Sequence, residues 1–273
     1  MQDARDAGTR RLAVAAAAMT LLLILAGGFV TTTRTGDTIP AWPKSWGRME
    51  AGWPVEWTHR ALAAIVALLV AALAFRARRP LAWTALAAVL VQAHLGGLRI
   101  YLPKAAVAIV HAVFGQIVFC AMVAVAFALS RRGAAPRDGV PDAAGWGAAA
   151  TAICFLQLVA GAVTRHTGAG LHVHLAGAVL VLAAVSIFAS RLMLSPLGRG
   201  ARLLLALLGI QIALGVATWI LTARGFVRSH QAPLFEILTI SAHVALGALL
   251  LAVTLVLTLA ARPAGRRLEP AWA

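Results

Sequence analysis

The chain has 273 residues, of which 61% are hydrophobic and only 12% charged, whereas a soluble domain is nearer half apolar and a quarter charged. This excludes a soluble enzyme or a disordered tail, and two cysteines inside apolar runs exclude a disulfide scaffold. The net charge of +15 comes from scarce acids and loop-borne arginines, and no basic face or reading motif points to nucleic acid.

Eight apolar runs follow one another along the chain, at roughly 12–30, 57–75, 81–98, 105–129, 146–164, 172–190, 203–222 and 237–260. Each is long enough to cross a bilayer, and backbone groups in lipid must be satisfied internally, so each is expected to be a helix. The first is too long for a signal-peptide core and lacks a convincing cleavage site, so it reads as a retained helix. Cys120 and Cys154 fall inside spans four and five and read as inert buried thiols.

Basic residues set the direction. The N-terminus, loops 76–80, 130–145 and 191–202, and the C-terminal tail together carry 15 Lys and Arg, and the opposite side carries 8. The richer side is expected to be cytoplasmic, which puts both termini inside at the plasma membrane. The longest outer loop, about 31–56, holds Trp42, Trp46 and Trp53, with Trp57 at the helix entrance. Those tryptophans suit either an interfacial aromatic belt or a lid over a site at the outer surface.

The two halves resemble each other. Spans two and six begin with His59 and His174, and spans four and eight contain His111-Ala112-Val113-Phe114-Gly115 and His243-Val244-Ala245-Leu246-Gly247. Spans three, five and seven each carry Gln followed four residues later by Gly: Gln92 and Gly96, Gln157 and Gly161, Gln211 and Gly215. This ordered set predicts an all-α membrane protein of eight helices in two pseudo-symmetric four-helix bundles, residues 1–135 and 136–273.

An ionisable side chain inside a membrane helix is costly and points to function. His59 and His174 stand at the outer ends of their spans, and His111 and His243 lie six or seven residues inside theirs, about 9 Å deep at the helical rise. A single such histidine is adequately explained by a hydrogen bond between helices. Four in a repeated pattern, one per helix and two per half, suit two haem planes better. Small neighbours (Ala112, Gly115, Ala176, Gly177, Ala245 and Gly247) would let a macrocycle approach. His172 precedes His174 by two and remains an alternative ligand; His94 has no counterpart in span seven, and His166 and His230 fall in outer loops.

Glu56 lies three residues before His59, on the same helical face, and the equivalent position of the second half is Leu171. A carboxylate beside one pair only suggests that one half does chemistry while the other holds a fixed cofactor. A helix-start carboxylate favoured by the macrodipole accounts for it equally well on spacing alone. Glu236, seven residues before His243, reads as that ordinary helix-start acid.

Glu56-Trp57-Thr58-His59-Arg60 matches the Glu-x-x-His-Arg signature of the haem A synthase family. Pro40-Ala41-Trp42-Pro43-Lys44-Ser45-Trp46-Gly47 resembles that family's first outer loop, and Arg165-His166-Thr167-Gly168-Ala169-Gly170 resembles its stretch after span five. The resemblance covers nearly the whole chain. It implies oxidation of the C8 methyl group of haem O to a formyl group, with water-derived oxygen. It further implies substrate haem between His59 and His111, a haem B cofactor between His174 and His243, and Glu56 as the catalytic residue. Haem O synthase and terminal oxidase assembly become the expected partners. The cysteine pairs that many members carry in the outer loops are absent here, which excludes a thiol-dependent step. Two other classes fit the histidines: a di-haem b-type membrane electron carrier, and a haem-binding assembly protein without chemistry. A pure carrier has little use for an acid beside one haem only.

Overall fold

The computed structural model describes residues 2–36, 39, 53–102, 104–134, 138–223 and 233–264. Among these the chain is helical, with no strand. The helices are α1 (Gln2–Thr32), α2 (Trp53–Ala77), α3 (Pro80–Tyr101), α4 (Ala105–Leu129), α5 (Arg131–Ala134), α6 (Pro141–Thr167), α7 (Leu171–Leu192), α8 (Gly198–Ala223) and α9 (Leu234–Ala261). Eight of them, all but the single turn α5, are long and apolar enough to cross a membrane. The chain is therefore a multi-pass membrane protein by the length and composition of its helices.

The helices extend past the apolar runs at most of their ends. The clearest difference is at α6, which continues through Arg165, His166 and Thr167 rather than ending before them. These three residues were expected in a loop because they are polar. They remain helical because only three residues connect α6 to α7. Gly168 and Gly170 both take positive φ, 73° and 80°, which lets the chain reverse at once.

Packing follows the chain order. Within the first half α1 lies on α2 and α4, α3 on α4, and α2 on α3; within the second, α6 lies on α7 and α9, α8 on α9, and α7 on α8. One core gathers Val66, Val70, Leu73, Ala82, Ala85 and Met122 from the first set, and another gathers Phe188, Leu192, Leu204 and Leu251 from the second. A third, smaller cluster joins them: Phe119 and Val123 of α4 against Ala248 and Ala252 of α9.

Lipid supplies no hydrophobic drive between helices, so close approach and polar ties matter more than area. Arg76 Nε donates to Thr9 Oγ1 at 3.2 Å, tying α2 to α1 at the end that carries the N-terminus. Thr151 and Thr258 hydroxyls meet at 3.1 Å between α6 and α9. At the opposite end, Arg165 of α6 reaches α1, its Nη2 donating to Gly28 O at 2.8 Å and Thr32 Oγ1 at 2.7 Å. Cys120 and Cys154 are free thiols, on α4 and α6.

Candidate functional site

The four histidines stand at one end of the structure, on α2, α4, α7 and α9, and each ring lies on a glycine of the helix before it. His59 rests on Gly27 of α1, His111 on Gly96 of α3, His174 on Gly161 of α6 and His243 on Gly215 of α8. A β-carbon on those glycines would stand 3.2, 3.1, 3.0 and 3.1 Å from the ring Cε1. Glycine at these places lets an imidazole press against main chain.

The glutamines recognised in the sequence act on the same unit from the other side. Gln92 Nε2 donates to the His111 carbonyl at 3.0 Å, and Gln157 Nε2 to the His174 carbonyl at 2.8 Å. A helical carbonyl has a second lone pair that can take such a donor, provided no side chain one turn later blocks it. Gly115 and Gly177 stand at that turn, and a β-carbon there would run into the amide. Gly247 faces Gln211 in the same way. The smallness of Gly115, Gly177 and Gly247, expected to admit a macrocycle, also seats a glutamine between helices. In α1 the glutamine place holds Leu23, which is why Gly27 escaped the sequence pattern.

The rings gather in twos. His174 and His243 face each other with ring centres 6.3 Å apart and planes 89° to one another. Two imidazoles binding one metal ion from opposite sides, each nitrogen about 2 Å from the metal and a little over 1 Å from its own ring centre, have centres roughly 6 Å apart. The residues present therefore fit an axially ligated metal. His59 and His111 lie close enough to act on one another electrostatically. In three of the four rings, His59, His174 and His243, Nδ1 is sealed without a hydrogen-bond partner. Among the described residues no three of His, Cys, Asp or Glu gather as a metal-ion cage. Each half thus presents two imidazoles seated on glycines.

The remaining histidines separate from this set. His172 and His94 are exposed, and His94 Nδ1 lies 2.8 Å from Leu90 O of its own helix. His174 rather than His172 is the residue on the glycine. His166 is partly buried in the last turn of α6, and His230 and the tryptophans Trp42 and Trp46 lie outside the described residues.

Glu56 is buried at 4% exposure, and both its oxygens are engaged. Oε1 pairs with Arg60, one turn along α2, and Oε2 accepts the Ile39 N–H at 2.9 Å. Arg60 Nη2 in turn donates to Ile39 O at 2.9 Å. The Glu and Arg of the Glu-x-x-His-Arg stretch thus hold residue 39 by both of its backbone groups, while His59 between them points at Gly27. Sequence spacing showed Glu56 and His59 on one face and gave no sign of the partner at 39. Glu236 stands in the first turn of α9, as expected, and is buried there at 2% exposure with Oε2 unpartnered.

No curated protein matches the chain. Residues 49–177, a little under half of it, match the family model COX15-CtaA, described as cytochrome oxidase assembly protein. That stretch contains Glu56, His59, His111 and His174 and stops short of His243, and across it the chain is similar to that family of cytochrome oxidase assembly proteins, in agreement with the resemblance read from the motifs.

Proposed function

We propose that the protein is a haem A synthase, an oxidoreductase that converts the C8 methyl group of haem O to a formyl group. Atoms and electrons balance as methyl plus one water giving aldehyde, four protons and four electrons, the electrons leaving to a one-electron acceptor in the membrane. Residues 1–135 form the substrate half and 136–273 the cofactor half, each a four-helix bundle related to the other by internal repeat, with both termini cytoplasmic. The single observation that carries the reading is the asymmetry laid over the repeat. Four histidines are seated alike on four glycines, but among the described residues a buried carboxylate stands one helical turn from its histidine in the first half alone, Glu56 before His59, whereas the buried Glu236 stands two turns before His243.

His59 and His111 would hold the iron of haem O, and His174 and His243 that of haem B. Bound there, haem B would supply one-electron redox chemistry. Glu56 is the catalytic group. Arg60 holds its carboxylate in place. From that place Glu56 orients the attacking water and takes its proton. The glycine seats hold the imidazoles in one orientation, so the macrocycle and the carboxylate keep a constant relation.

The test is expression in a host that makes haem O but lacks haem A activity, followed by extraction and chromatography of the haems with mass detection. Haem A or its hydroxylated precursor is expected from the wild type. Glu56→Gln should lower that yield about 10²- to 10⁴-fold while the protein still binds haem. Haem B alone, with no new product, would favour the di-haem carrier; unchanged haem A from Glu56→Gln would remove Glu56 from the chemistry.

A further inference from the structure

The part of the molecule away from the histidines carries a groove that the proposed reaction does not use. It holds about 400 Å³ and runs where the halves meet, along Ile117 and Cys120 of α4, Ala152 and Phe155 of α6, and Leu251 and Leu255 of α9. It is open on the outside of the bundle, where Ile117 is 43% exposed and Ala152 is exposed as well. Its wall suits hydrocarbon. The two hydroxyls that line it, Thr151 and Thr258, donate to carbonyls of their own helices, Gly147 O at 2.8 Å and Thr254 O at 2.7 Å. A hydroxyl has one proton to give, so neither keeps a donor for a polar ligand, and the Cys120 thiol is a weak one.

Length and charge say which hydrocarbon. The groove begins at exposed Arg262, just past the end of the last span at Ala261, and follows 11 residues back to Leu251 near the middle of that span. At the helical rise this is about 16 Å, and one leaflet's share of the hydrocarbon core is about 15 Å. Beside Arg262 the single turn α5 packs against α9 and carries Arg131 and Arg132, both exposed. Arg132 and Arg262 already engage other groups of the protein, and a guanidinium has five N–H donors to share. The sequence gives this end 15 Lys and Arg against five acids: Asp3, Asp6, Asp138, Asp142 and Glu269. An apolar slot one leaflet deep with arginines at its mouth complements a lipid that has a chain and a negative headgroup.

We propose that this groove binds one anionic phospholipid, with an acyl chain lying along α9 between α4 and α6 and the phosphate drawn to Arg131 and Arg262. The chain touches α4 of the first half and α6 and α9 of the second. The lipid is therefore a third component of the joint between the halves, beside the apolar contact of α4 with α9 and the reach of Arg165 to α1. This goes beyond the reaction proposed above and does not rest on it.

The experiment uses the full-length protein purified in detergent and washed free of lipid. Dioleoylphosphatidylglycerol, which is anionic, and dioleoylphosphatidylcholine, which has the same chains and no net charge, are titrated separately. Native mass spectrometry counts the bound lipid, and the melting temperature follows its stabilising effect. The wild type should take one phosphatidylglycerol at a saturable site, about 10-fold more tightly than phosphatidylcholine, and the preference should fade at about 1 M salt. Ala152→Trp fills the groove from an exposed position and should abolish that site while the lipid-free melting temperature stays as it was; Ala148→Leu, on the same wall, serves if the tryptophan does not fold. Arg131→Gln with Arg262→Gln should bring phosphatidylglycerol down to the affinity of phosphatidylcholine. Equal affinity of the wild type for the two lipids, or binding that never saturates, overturns the proposal, and that comparison needs no variant. A folded groove-filling variant that still binds one phosphatidylglycerol as tightly overturns it too. Extraction of the unwashed protein that yields one quinone per chain and no retained phospholipid overturns it in favour of a redox ligand. None of these outcomes bears on haem A yield, so the proposed reaction stands or falls separately.

Discussion

A glycine under each imidazole is a demanding arrangement, because any side chain there must move either the ring or the helix. At Gly161 even a methyl group would stand 3.0 Å from His174 Cε1, tighter than ordinary van der Waals contact. Gly161→Leu is therefore expected to push His174 away from His243 and lower the haem content proposed for that pair, read as the haem-to-protein ratio of the purified protein. Gly209→Ala is the matched control, for a β-carbon at Gly209 meets nothing within 4 Å. It should retain haem fully and stabilise α8 slightly, by about 0.5–1 kcal/mol. The clamp on Ile39 makes a different kind of demand. It reads backbone, an N–H and a carbonyl, so Ile39→Val should keep it while Ile39→Pro, which has no N–H to give Glu56, should not. Haem A yield should fall for the proline variant alone. Equal yields from the two would show that the grip on residue 39 has no part in placing Glu56.

Between helices, the glutamines carry the recurring polar contact. Gln157→Ala removes the amide from the His174 carbonyl, whose own helical bond remains, so the loss should be modest: about 0.5–2 kcal/mol in a reversible detergent-unfolding titration. Gln157→Leu should cost more, because its branched end would be forced toward Gly177 with no donor to offer. At this scale much was legible in the sequence. Long apolar runs with flanking arginines located eight of the nine helices among the described residues, and the repeated histidines pointed to the candidate site, because burial in lipid leaves few residue types to choose from. The order Gln-x-x-x-Gly was visible, but its purpose was not. Spacing along one helix says nothing of which neighbouring helix lies opposite, so Gly115 and Gly247 looked like room for a ligand. Leu23-x-x-x-Gly27 was missed because leucine stands there in place of the glutamine. The last turn of α6 was read as loop because Arg165, His166 and Thr167 are polar, and only the three-residue connection to α7 keeps them helical.

Taken whole, the molecule is joined along α1, α4, α6 and α9, and the joint is of two kinds. Phe119, Val123, Ala248 and Ala252 pack without polar groups, whereas Arg165 reaches across to α1 at the histidine end. Ala248 is fully buried there, so Ala248→Leu should force the halves apart at a cost of about 1–3 kcal/mol. Expressed as separate pieces, 1–135 and 136–273 should co-purify, and Ala248→Leu should weaken that association. Co-purification unaffected by the substitution would show that the contact between α4 and α9 does not hold the halves together.

The glycine seats bear finally on how such a site meets its ligand. An imidazole on an open helix samples several rotamers and must surrender that freedom when a metal arrives. Here the surrender happens at folding, since each ring is wedged against main chain before anything binds. A haem entering would find its axial partners already aimed, and a haem leaving would not let them scatter. Turnover of one macrocycle after another through a fixed gap is the behaviour such stiffness favours, with the entropic cost of order met once per protein molecule rather than once per product.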